Sequence, residues 1–318
     1  MNGRNRHKKY RVKVYQRRGI GTILISVAAT LAIVAVTLLI VGNILKAQTD
    51  KRHNDIPPDT SDIADTTETT VKKAKALNGR FIDSFASEQT FVSAIDGLKA
   101  NGIPDASIFL TDTNGELLYD SRVAEQIGRI HRDSVSLAQV ASLASERETY
   151  LSGVYCTHAF SVEDKLLRAV ELSNDAAIVA EALDSGLNEV IIYAPHMTAD
   201  HVSDMMRLIK SVRDLTQNGF VGIVVNDVIF EHSNASLMIK ELSTAADILA
   251  MKAFDTDNTS AIEYVSGKIS SANKFYLHMY KMRVLLPCTN DPTIENELIT
   301  IAQKNGINNF QTLKNLDA

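Results

Sequence analysis

The chain has no tryptophan and only two cysteines, Cys156 and Cys288, in 318 residues. Flat aromatic side chains are the usual platform for a pyranose face, so the lack of tryptophan counts against a wide sugar-binding groove, although tyrosine can substitute. No Gly-x-Ser-x-Gly, P-loop or Gly-x-Gly-x-x-Gly occurs, which removes the common signatures of serine-hydrolase and nucleotide sites. Residues 1–18 hold no acid but eight Lys/Arg; subtracting them from the net charge of −5 leaves −13 on the other 300 residues. An acidic body repels phosphate, so the basic run does not imply nucleic acid.

Charge is also missing from Gly19 to Leu45, 27 consecutive residues. About 20 apolar residues span a bilayer core, so residues 19–45 are expected to form one transmembrane helix. The basic segment 1–18 keeps the N-terminus cytoplasmic and places the body outside the cell membrane. A cleaved signal peptide is disfavoured, because its apolar region is typically about 7–15 residues and no clean small-x-small site follows Leu45. Residues 46–72 are Asp/Thr-rich with Pro57-Pro58 and few apolar residues, the composition of a flexible stalk.

The whole chain is 45% hydrophobic and 22% charged, and the part that remains, 73–318, is long enough to bury one large core. Its clearest unit runs from Ser173 to Met197. Ser173 and Asn174 can cap a helix over Asp175–Ser185, and Gly186 supplies its stop. Glu189–Ala194 then reads as a strand buried on both faces, ended by Pro195. The unit repeats. Strands are expected at Gly79–Ile82, Ser107–Thr111, Leu151–Cys156, Val190–Ala194, Val221–Asn226, Ile248–Phe254, Arg283–Leu286 and Ile307–Thr312. Helical patterns lie between them at Glu88–Ala100, Ser134–Glu148, Asp175–Ser185, Ala199–Gln217, Ala235–Ala246, Ala261–His278 and Thr293–Lys304. A hairpin over Ile108–Tyr119 turns at Asp112-Thr113-Asn114-Gly115. Eight strands alternating with seven helices predict an α/β protein of the (β/α)8 barrel class; without the first strand, a doubly wound open sheet would remain.

Four segments, in order, resemble one family: Thr113-Asn114-Gly115-Glu116-Leu117-Leu118-Tyr119-Asp120-Ser121, Ala177 to Ile192, Ala246-Asp247-Ile248-Leu249-Ala250-Met251, and Arg283-Val284-Leu285-Leu286-Pro287. The chain is similar to the glycoside-hydrolase-like barrels anchored in bacterial cell envelopes. That resemblance implies a (β/α)8 barrel, carbohydrate as the ancestral ligand, and an anchor holding it near the wall. It also implies acids at the end of the second strand and in the fourth. Only Asp112 answers the first, and Tyr193 stands where the second is expected. Leu285 replaces the tryptophan of the seventh strand, and Met251-Lys252-Ala253-Phe254-Asp255 replaces a Met-x-Tyr-Pro-type run in the sixth.

Glycoside hydrolysis needs two carboxyl groups about 5–9.5 Å apart. The strand-end acids are Asp83, Asp112, Asp227, Asp255 and Asp257. Asp227 and Asp255 follow neighbouring strands, so they could meet over one ligand; each could equally cap a helix or steady a loop. Asp255-Thr256-Asp257 also matches the Asp-x-Asp of metal-dependent glycosyltransferases. Tyr193, Asn226, His158 and His196 fall at strand ends and are the candidate binding residues. His196 and His201 are five apart, not the four that puts two ligands on one helix face, so no metal site and no cofactor is expected. In an oxidising exterior two cysteines invite a disulfide, but the third and seventh strands of a barrel face each other across it. Both thiols are expected free and largely buried.

The expected function is therefore a membrane-anchored, extracytoplasmic barrel that has lost acid–base hydrolysis and binds or organises cell-wall glycan or an envelope protein. The alternatives are an active glycosidase using a pair from Asp112, Asp227 and Asp255, and a glycosyltransferase using Asp255 and Asp257.

Overall fold

The computed structural model describes residues 74–82, 87–112, 114–130, 135–253, 263, 266–267, 281–288, 292–305 and 308–313. All belong to one compact unit, Val71–Ala318. Residues 19–45 and 46–72 lie outside the described set, and among the described residues no helix is long and apolar enough to cross a membrane.

Eight parallel strands form a closed barrel in sequence order. They are β1 (Asn78–Phe81), β2 (Asp105–Phe109), β3 (Tyr150–Cys156), β4 (Glu189–Tyr193), β5 (Phe220–Val225), β6 (Ile248–Lys252), β7 (Met282–Pro287) and β8 (Phe310–Leu313). The first strand, β1, closes the ring by pairing Gly79 with both Asp105 of β2 and Gln311 of β8. The open-sheet alternative is thereby removed.

Side chains alternate along each strand between the bore and the helices. On β4, Val190 and Ile192 join the large cluster under the helices, with Ala194 just beyond the strand, whereas Ile191 and Tyr193 join a separate inner cluster. That inner cluster also takes Val154 and Cys156 of β3, Val224, Ala250 and Leu285, with Phe81 and Phe109 against it. Both faces of the strands are apolar because both are covered, which is why these segments read as continuous hydrophobic runs.

The N-terminal end of the bore is polar. Arg283 donates to Glu189 through both terminal nitrogens, and Tyr150 Oη donates to Glu189 at 3.0 Å. Arg283 also donates to Asn309 at 2.9 Å, and Lys75 pairs with Asp105 at 2.7 Å. This plug sits opposite the end where barrels carry their chemistry.

The helices are α1 (Glu88–Ala100), α2 (Arg122–Ile127), α3 (Leu137–Glu146), α4 (Lys165–Asp184), α5 (Val202–Leu215), α6 (Asp227–Phe230), α7 (Ala235–Ala245) and α8 (Pro292–Lys304). Short 3₁₀ turns over Ala159–Ser161 and Ala199–His201 precede α4 and α5. The helix expected over Ala261–His278 falls almost wholly outside the described residues.

One expected boundary is wrong by a long way. Ser173 and Asn174 are not caps but interior residues of α4, whose cap is Asp164, accepting from the Leu166 and Leu167 amides at 2.9 Å. The first two turns of α4 stand clear of the core, with Leu166 80% and Leu167 61% exposed. They therefore carry no amphipathic periodicity from which a start could be read. The short α2 and α6 were not expected at all.

Candidate functional site

The C-terminal mouth of the bore is built by the last inward positions of the strands. Among the described residues these include Phe81, Phe109, Cys156, Tyr193 and Lys252. Tyr193 is buried, and Lys252 Nζ lies 5.7 Å from the centre of its ring, within cation–π range. Phe81 and Phe109 meet with their rings tilted by 53°, 4.6 Å between centroids. No carboxylate stands among these five side chains.

The expected acids are placed as follows. Asp112 turns back on its own hairpin: Oδ1 accepts from the Asn114 amide at 2.8 Å and from the Glu116 amide at 2.9 Å. Thr111 and Leu117 bridge antiparallel below it, so the hairpin forms where expected and Asp112 holds its turn. Asp227 opens α6 in a half-buried position. Strands β3 and β4 separate β2 from β5, so the barrel order does not make Asp112 and Asp227 neighbours. Asp83, Asp255 and Asp257 lie outside the described residues.

The expected binding residues divide. Asn226 Nδ2 donates to the Ala194 carbonyl at 2.6 Å, tying the end of β5 to that of β4. His196 is exposed, and its ring lies 6.4 Å from that of His158. His158, half-buried, lines a cavity.

That cavity is a cleft of about 530 Å³ beside the mouth, lined by Asn114, Gly115, Glu116, Gly128, Arg129, Ile130, Cys156, His158 and Glu171. Cys156 belongs both to this lining and to the inner cluster, so cleft and mouth adjoin. His158 packs against Gly115, where a Cβ would stand 2.9 Å from its Cδ2. Gly115 has φ +81°, a left-handed conformation that the turn requires and glycine adopts freely.

A buried network fixes the cleft floor. Arg129 reaches Tyr155 Oη at 2.6 Å, Asp175 at 2.7 Å and Glu171 at 2.5 Å. Asp175 is fully buried and also accepts from Tyr155 Oη at 2.6 Å and from the Thr157 hydroxyl. Burial works against the Arg129 charge, but Tyr155, Asp175 and Glu171 outweigh it and push its pKa up. Burial, then Asp175, raises the Tyr155 phenol well above its ordinary range, so it stays a donor.

Arg129, Glu171 and Asp175 were missed in the sequence. Glu171 and Asp175 are four apart on α4, one turn of one face, a spacing hidden once the helix was begun at Asp175. The two cysteines are unbridged, on β3 and just past β7; Cys156 is buried, but Cys288 is exposed, contrary to expectation. Among the described residues no group of three or more His, Cys, Asp or Glu is placed to hold a metal ion.

No family model matches the chain, and no curated relative does. Solved structures do. A candidate alpha-L-fucosidase from Bacteroides thetaiotaomicron VPI-5482 aligns over 81% of this chain and 91% of its own, at 13% identity and a TM-score of 0.52. What they share is the (β/α)8 barrel. A cellulose synthase subunit Z from Clostridioides difficile aligns over 76% of this chain and 92% of its own, at 9% identity and TM-score 0.49. An endo-1,4-beta-mannanase from Rhizomucor miehei aligns over 75% and 86%, at 8% identity and TM-score 0.49. At such identities the likeness speaks for fold alone.

Proposed function

We propose that this protein is a membrane-anchored barrel that holds cell-envelope glycan on the outer side of the membrane without hydrolysing it. The observation that carries the reading is the Tyr193–Lys252 pair at the end of β4 and β6. Tyr193 occupies the place where the resembled family carries a strand-end carboxylate. A cation over an aromatic ring can neither protonate a glycosidic oxygen as a carboxylic acid does nor attack an anomeric carbon as a carboxylate does. The adjoining polar cleft keeps a place for a ligand, while among the described residues Asp112 and Asp227 do not form a neighbouring acid pair. The resemblance of the sequence segments to glycoside-hydrolase-like barrels supports the ligand class, and the uncharged stretch 19–45 with the stalk 46–72 supports the tether.

The test uses the full-length protein in detergent micelles, mixed with insoluble wall glycan. Expected is co-sedimentation with no release of reducing ends, unchanged in Asp112→Asn, Asp227→Asn and Asp255→Asn proteins. Release of reducing ends that disappears in any of the three variants would establish a glycosidase instead. A chain shortened to begin near Lys72 should leave the membrane fraction; persistence there would contradict residues 19–45 as the sole tether.

A further inference from the structure

Three polar groups around the lateral cleft are left without a protein partner. A guanidinium has five N–H donors. Arg129 uses Nη1 on Tyr155 and Asp175 and one Nη2 hydrogen on Glu171, leaving Nε–H and the second Nη2 hydrogen. Glu171 accepts through Oε2 alone, leaving Oε1. His158 Nε2 is buried and makes no hydrogen bond. All three residues line the same cleft of about 530 Å³, a size typical of small-molecule sites.

We infer that this cleft, rather than the bore, seats one sugar unit through two adjacent hydroxyls. Arg129 donates to one and Glu171 Oε1 accepts from its neighbour, while the His158 ring, its Nε2 closed off beside Gly115, forms the wall against which the sugar packs. The inference rests on the glycan reading above and assigns its contact residues. The chemistry selects for neutrality. An anion approaching Arg129 meets Glu171 and, behind it, Asp175; a cation approaching Glu171 meets Arg129. A vicinal diol carries a donor and an acceptor on each oxygen and matches a donor and an acceptor on two side chains that their own ion pair holds side by side.

The arrangement is also pre-ordered. Arg129 is clamped by three side chains, and Glu171 sits one helical turn from the buried Asp175. Little side-chain entropy is then lost on binding. Because Cys156 joins the cleft to the mouth, a longer glycan could run from one into the other.

The experiment is isothermal titration of the full-length protein in detergent micelles with neutral tetrasaccharides of gluco, manno and N-acetylgluco configuration. Analogues of the best binder, each lacking one hydroxyl, complete the set. Glu171→Ala and His158→Ala are each expected to weaken binding tenfold or more, with thermal unfolding confirming that both fold. One deoxy analogue should lose affinity for the native protein yet lose nothing further for Glu171→Ala, the non-additivity of a direct contact. Binding that survives both substitutions would overturn the cleft assignment and leave the glycan reading standing. Failure of every tetrasaccharide to bind would overturn both.

Discussion

Arg283 of β7 and Glu189 of β4 meet inside the bore, both fully buried, with β5 and β6 between their strands. Two charges in so dry a place are held by each other and by Tyr150, Asn309 and the Lys75 carbonyl. Such a pair adds little net stability, but removing one member strands the other. Arg283→Met should therefore cost about 3–5 kcal/mol in urea unfolding. Arg283→Met/Glu189→Leu should recover part of that loss. Equal losses in the single and double variants would mean that packing, not charge, governs this end.

Asp175 is the second buried charge, and its partners are Tyr155, Thr157 and Arg129. Asp175→Asn keeps the shape but removes the charge and turns one acceptor into a donor. The expected cost is roughly 2–3 kcal/mol, that of losing charge-assisted hydrogen bonds. Because Arg129 would keep only Glu171 and Tyr155, glycan affinity should fall with stability. Unchanged affinity in a folded Asp175→Asn protein would show that the network does not order the cleft.

The barrel was legible because a strand covered on both faces must be apolar throughout, and Val190-Ile191-Ile192 or Val221–Val225 can read no other way. The alternation of such runs with Glu88–Ala100 and Ala235–Ala246 left few architectures open. The cleft was not legible, for a different reason. Its lining comes from 114–116, 128–130, 156–158 and 171, segments brought together only by the barrel order. Local pattern also misled. Exposed Leu166 and Leu167 hid the start of α4, and with it the Glu171–Asp175 spacing. Asp112 was visible as a strand-end acid, but the direction of its carboxylate depends on the hairpin that it closes.

His201 gives the fold an acid-sensitive joint. Its Nδ1 accepts from the Thr198 amide at 3.2 Å, holding the turn that leads into α5, and its ring packs on Phe160. Burial first, then the nearby Arg168, lowers its pKa from 6.5 despite Asp204 and Asp200. Between the folded and unfolded values the unfolded chain binds more protons, so stability must rise with pH there. It is full above about 6.5 and declines as pH falls toward the folded pKa. Midpoints of thermal unfolding between about pH 7.5 and 5 should show this slope, reduced in His201→Gln. A slope identical in both proteins would assign the effect elsewhere.

Gly115 and Gly128 offer a way to measure how tightly the cleft wall is packed. Both have positive φ, +81° and +74°, so alanine imposes a similar backbone cost of about 1 kcal/mol at each. Their surroundings differ. A Cβ at Gly128 meets nothing within 4 Å, whereas one at Gly115 comes within 2.9 Å of His158 Cδ2. Gly115→Ala should therefore displace the imidazole and destabilise more than Gly128→Ala, the difference in urea midpoint reporting the clash alone. Because His158 lines the cleft, moving its ring changes the shape of that wall. Gly115→Ala should consequently weaken oligosaccharide binding more than Gly128→Ala, a difference that titration would read directly. Equal losses at the two glycines, in stability and in affinity, would mean that His158 gives way without cost and does not shape the site.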